Sequence, residues 1–119
     1  MNLIPRTLIA LDSSVLTGMV GTNLLMRERL LSSFLEEAVH KLDELREASD
    51  TGRLADLKIA AHQLRGAARI VGALAMAEIA RLLEGVQDGE EGEQEVAVKL
   101  CAELGDELER FKRALLADA

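Results

Sequence analysis

His62 stands in the run Ala61-His62-Gln63-Leu64-Arg65-Gly66-Ala67-Ala68-Arg69-Ile70-Val71-Gly72. An imidazole that reaches solvent is a usable nucleophile near neutral pH. Viewed down a helix at about 100° per residue, Ala55, Lys58, Arg65, Gly66 and Arg69 fall within about 60° of His62. Leu57, Leu64 and Val71 fall on the opposite side. The spacing therefore turns His62 outward and surrounds it with cations and very small residues. That suits phosphoryl chemistry, because Lys58, Arg65 and Arg69 can offset a phosphoryl charge by charge-assisted hydrogen bonds. Gly66, one turn from His62, clears a side chain from the approach. Glycine inside a helix costs about 0.5–1 kcal/mol relative to alanine, so its presence asks for a reason.

A carboxylate completes the set. Gly72 reads as a helix stop that turns the chain back. His62 lies ten residues before it and Glu84 twelve after. At about 1.5 Å rise per residue the two sit roughly 15 and 18 Å from the turn, nearly level. Glu84 can then take a hydrogen bond from one ring nitrogen, fix the tautomer and leave the other nitrogen to attack.

The elements that must hold these residues are helices. Ala, Leu, Glu, Arg and Lys dominate, and Pro5 is the single proline; these are strong helix formers with nothing after the N-terminal arm to break them. Five helical segments are expected. The first spans about Ser13 to Val20, with Asp12 as N-cap, Gly21 at its end and Val15, Leu16 and Met19 on its apolar side. The second runs from about Asn23 to Ala48, with Leu31, Phe34, Leu35, Ala38, Leu42 and Leu45 facing inward. Ser49-Asp50-Thr51-Gly52 forms a turn. The third runs from about Arg53 to Val71 on Leu57, Ala61, Leu64, Ala68 and Val71. The fourth runs from about Ala73 to Val86 on Leu74, Ile79, Leu82 and Leu83. Gly85 to Gly92 reads as a solvated loop containing Asp88. The fifth runs from about Glu93 to Leu116 on Ala97, Leu100, Leu104, Leu108, Phe111 and Leu115.

The expected fold is all-α: an antiparallel up-down-up-down four-helix bundle with a short additional N-terminal helix. Residues 1–119 form one domain, with residues 1–11 as an N-terminal arm.

Composition narrows the function. A net charge of −7 argues against general nucleic-acid binding. A single cysteine, Cys101, cannot form an internal disulfide and fits a reducing compartment; burial as a small apolar side chain is its expected role. No run approaches the ~18 apolar residues of a membrane span, and no signal-peptide layout is present. A cytoplasmic, monomeric protein is the default. His40 lies off the apolar stripe and reads as a surface residue. No His, Cys or acidic residues have metal-ligand spacing, so no metal site is expected.

The stretch resembles the histidine phosphotransfer (HPt) domain family. The family motif has a histidine, a basic residue three positions on, a glycine next to it, a small residue, and a second glycine ten positions after the histidine. Those positions here are His62, Arg65, Gly66, Ala67 and Gly72. Ala61 and Leu57 also fit, and Glu84 holds the place twenty-two positions on where an acid or amide is common. The order of helices and the apolar pattern extend the resemblance over most of the chain. Two positions depart from it. The basic residue is usually Lys, and Arg65 is larger and forked. An acidic residue common at the start of the helix is replaced by Arg53, which bears on capping.

The resemblance implies a phosphorelay intermediate of a two-component system. His62 would accept a phosphoryl group from a receiver-domain aspartate and pass it to another receiver. Arg65, Gly66 and Glu84 would serve the reaction, and Met19, Lys58, Ile59 and Arg69 would contact the partner. No cofactor of the chain's own is implied; Mg²⁺ would come with the receiver. The chain is too short, and lacks the glycine-rich nucleotide loops, for a self-sufficient kinase, so it reads as a carrier protein. The alternative is a non-catalytic helical bundle that binds partners, receivers included, without turnover.

Overall fold

The computed structural model describes Ile4, residues 8–87 and residues 89–118, the side chain of residue 118 excepted. Pro5, Asp88 and most of the first seven residues of the arm lie outside the described residues. Five helices follow in order: α1 (Ser13–Val20), α2 (Leu24–Asp50), α3 (Leu54–Ile70), α4 (Leu74–Glu84) and α5 (Glu93–Asp118). No strand occurs among the described residues.

Local chemistry fixes the ends. Asp12 caps α1 by accepting from the Ser14 N–H at 3.1 Å, and Asn23 caps α2 by accepting from the Met26 N–H at 3.0 Å; each satisfies an N–H with no partner inside its helix. Helix α2 runs two residues further than the turn-forming sequence suggests. Ser49 is buried and its hydroxyl donates to the Arg46 carbonyl at 3.0 Å, a back-bond that lets serine stay helical. Arg53 occupies the N-cap position of α3 without a side-chain cap; its guanidinium turns back to Glu47 at 3.1 Å.

Helix α2 packs on α3 and α5, α4 packs on the same two, and α1 lies against α2 and α3. The inward stripes meet in one aliphatic core in which Leu45, Leu57, Leu64, Ile79, Leu83 and Leu104 are fully buried. Phe34 of α2 and Phe111 of α5 meet edge to face with centroids 5.3 Å apart, a favoured aromatic geometry. Cys101 is buried, and burial raises its thiol pKa. Met19, from the apolar side of α1, is instead 54% exposed.

The N-terminal segment ties the α3–α4 turn in place. Gly72 has φ +77°, and a Cβ there would lie 2.3 Å from the Asp12 carbonyl oxygen. Its own carbonyl accepts from the Asp12 N–H at 2.7 Å. Ala73, the N-cap of α4, offers no side-chain acceptor, so the Ile9 carbonyl takes the Ala75 N–H at 2.9 Å. Leu8 O accepts from Arg110 of α5 at 2.9 Å. The short turn at Gly72 thus returns α4 along α3, and the backbone of residues 8–12 locks that return.

Candidate functional site

Helix α3 buries Leu57, Ala61, Leu64 and Ala68, and this packing sets the opposite face outward. His62 follows Ala61 by one position, and its side chain is 76% exposed. Leu83, fully buried, does the same for α4. Its neighbour Glu84, the last residue of α4, is consequently held at the helix edge, 20% exposed and facing α3.

His62 Nδ1 and Glu84 Oε1 are 2.7 Å apart. Arg65, one turn along, donates from Nη1 to the other carboxylate oxygen, Oε2, at 2.8 Å. Both oxygens of Glu84 are therefore occupied. Burial pushes the Glu84 carboxyl up, but hydrogen bonds from Arg65 and His62, with their charges, outweigh it and hold the group below its ordinary value. An ionised carboxylate only accepts. The proton between the pair thus belongs to Nδ1, which donates to Glu84, and in the neutral ring the lone pair is on Nε2. Nε2 has no partner among the described residues.

Gly66 is exposed, and a Cβ added there would meet nothing within 4 Å. No contact among the described residues calls for glycine, so the helix carries its cost next to His62 without a packing reason. Lys58 and Arg69 flank the site on the same helix, Lys58 half-buried and Arg69 exposed. Glu78 is held below its ordinary value, first by its hydrogen bond from Arg81 against burial, with smaller contributions from the charges of Arg81, Arg65 and Arg69. Ile59, one turn before His62, is 60% exposed. It lies at a groove of about 290 Å³ between α2 and α3, shared with Glu44, Glu47, Arg53, Asp56 and Gln63. Met19 stands exposed on α1.

Two contacts go beyond the sequence reading. Arg65 turns onto Glu84 instead of standing free beside His62. Their opposite charges were a signal, but Arg65 is one turn off level with Glu84, and only a long side chain's rotamer closes the gap. Lys41 of α2 donates to Gln63, next to His62; the two are twenty-two positions apart, so no local signal marks this pair. Among the described residues no three His, Cys, Asp or Glu side chains come together as a metal site would require. No helix there is long and apolar enough to cross a membrane.

An outward imidazole, an ionised carboxylate on its Nδ1 and a bare helix turn beside it form the arrangement on which the family resemblance turns. A family model described as "Hpt domain" matches residues 29–114, well over half of the chain. The chain belongs to the Hpt domain family. No curated protein and no solved structure matches it significantly. Hpt domains serve phosphotransfer in two-component signalling and interact with receiver domains. The matched region holds His62, Arg65, Gly66, Gly72 and Glu84 together, and omits α1 and the segment that caps α4.

Proposed function

We propose that this Hpt chain is a phosphorelay intermediate, taking a phosphoryl group onto His62 from one receiver aspartate and giving it to another. The aspartyl phosphate docks over the exposed face of α3. The Nε2 lone pair attacks phosphorus in line, the N–P bond forms, and the bond to the receiver's carboxylate breaks. The ring keeps its Nδ1 proton and becomes a phosphoimidazolium whose positive charge faces Glu84. A second receiver reverses the sequence: its carboxylate attacks phosphorus and the neutral imidazole leaves. Such transfer depends on positioning and charge stabilisation.

The observation that carries this reading is the Nδ1–Glu84 bond with Nε2 open to solvent. Arg65 spends one N–H on Glu84 and retains other guanidinium donors for phosphoryl oxygens. Lys58 and Arg69 add charge, and Ile59 and Met19 supply apolar surface to the receiver. The divalent metal comes with the receiver, and the chain needs no cofactor of its own. The supporting frame is one domain, an antiparallel up-down-up-down bundle of α2 to α5, acting in the cytoplasm.

The test is transfer from a receiver carrying radiolabelled aspartyl phosphate. Wild type takes up label, and His62→Gln, with unchanged helicity, takes none. Label on His62→Gln overturns the reading. Receiver binding without label uptake by wild type moves the protein to the non-catalytic interaction class.

A further inference from the structure

The outer face of α2 is an exposed helix face that the proposed phosphotransfer leaves unused. Helix α2 buries Phe34, Ala38, Leu42 and Leu45. Diametrically opposite, at heptad spacing, run Leu25, Arg29, Ser32, Glu36 and Val39. Leu25 is 57% and Val39 46% exposed, and Ser32, Arg29 and Glu36 are exposed as well. Arg29 and Glu36 have no ion-pair partner among the described residues. Several other surface ions of the chain are paired within one turn, as Arg81 is with Glu78, Lys112 with Glu109 and Arg110 with Glu107.

The order of these residues is self-complementary. Two copies of α2 laid antiparallel about a two-fold axis between Ser32 and Ser33 place Arg29 of each opposite Glu36 of the other. The same register sets Leu25 against Val39 and His40. Those two residues, with Leu35, Glu36 and Lys112, line a shallow groove of about 390 Å³ on the α2–α5 side. Ser32 and Ser33 at the crossing point are small enough for the helices to approach closely. Arg29 and Glu36 also line a second depression along α2 with Leu25, Glu28, Ser32 and Ser33, so the face is indented at its centre.

From this we infer that the chain associates with a second copy of itself through the outer face of α2, as a two-fold dimer registered by reciprocal Arg29–Glu36 pairs. A two-fold interface must be complementary to itself, and opposite charges equidistant from one point meet that condition. A net charge of −7 on each copy opposes association, and a single helix crossing buries little area. The dimer is therefore weak and concentration-dependent, where the sequence led to the expectation of a monomer. His62 and Glu84 sit on α3 and α4 and stay outside this contact.

Sedimentation velocity of the whole chain across a concentration series up to about 1 mM tests this. Wild type should pass from monomer to dimer. Arg29→Glu and Glu36→Arg should each weaken association about tenfold, because each replaces two attractions with two repulsions. The double variant should restore it, since the exchanged charges again oppose one another. A wild type that is monomeric throughout overturns the inference and leaves the face to a partner of other sequence. A dimer indifferent to both single changes overturns it too, as does a double variant that folds but stays monomeric. His62→Gln should leave the dimer unchanged, so this result does not depend on the phosphotransfer reading.

Discussion

Glu84 Oε1 lies 2.7 Å from His62 Nδ1, while Oε2 of the same carboxylate is held by Arg65 at 2.8 Å. One acid thus decides which imidazole nitrogen keeps a proton, and Arg65, together with His62 itself, holds that acid below its ordinary value. The chemistry proposed for the chain follows from that sequence of dependence, and so do the consequences of disturbing it.

Replacing Glu84 with alanine should slow phosphoryl transfer without preventing receiver binding. A hydrogen bond to a charged group contributes about 1.5–3 kcal/mol, so loss of its transition-state share slows the step by about 10–100-fold. Single-turnover transfer from a phosphorylated receiver measures the rate, and titration of the same receiver measures the affinity. Equal rates for wild type and variant would remove Glu84 from the reaction.

The same carboxyl should leave a mark on acid stability. Its folded-state pKa is below the ordinary value of 4.5, so below that value the unfolded chain binds the proton more readily than the folded one. The stabilisation is complete above the ordinary Glu value and is lost as pH falls through the folded-state value. Wild type should therefore lose more stability than Glu84→Gln between roughly pH 5 and pH 3. Urea denaturation of both proteins across this range checks it; parallel curves would contradict it.

Gly66 separates stability from function. A Cβ there meets nothing within 4 Å, so Gly66→Ala should stabilise the fold by about 0.5–1 kcal/mol. Gly66→Leu should fold equally well yet weaken receiver docking, because its side chain enters the approach to His62. Denaturation midpoints and receiver affinities report the two effects. Normal affinity for the leucine variant would count against a cleared landing surface.

Much of this site was legible in the sequence because it depends on helix geometry alone. Counting the rise on either side of Gly72 places His62 level with Glu84, and the stripe of Leu57, Ala61, Leu64 and Ala68 sets His62 outward. Ser13–Val20 was readable from Asp12 and Gly21, whose capping chemistry is local. What escaped depends on tertiary contact. The end of α2 at Asp50 rests on the buried Ser49. Arg65 reaches Glu84 through a rotamer that spacing does not specify. The cap of α4 is a backbone carbonyl, that of Ile9, to which residue identity gives no clue. Periodicity over eight residues says little about which face a short helix buries, and Met19, on the apolar side of α1, is exposed.

Gly72 should tolerate no side chain. Its φ of +77° and a Cβ position 2.3 Å from the Asp12 carbonyl oxygen combine backbone strain with a clash against main chain. Gly72→Ala should cost at least about 2 kcal/mol and release the Asp12 amide, which donates to the Gly72 carbonyl. Denaturation and hydrogen exchange at Asp12 measure both. A variant as stable as wild type, with that amide still protected, would show that the α1 docking does not depend on this glycine.

The most direct test of the whole account is to locate phosphorus on the phosphorylated chain by nitrogen and phosphorus NMR. A single phosphoryl group is expected on Nε2 of His62, with Nδ1 still protonated and bonded to Glu84. Phosphorus on Nδ1 of His62, on His40, or on neither histidine after incubation with phosphorylated receivers would contradict it.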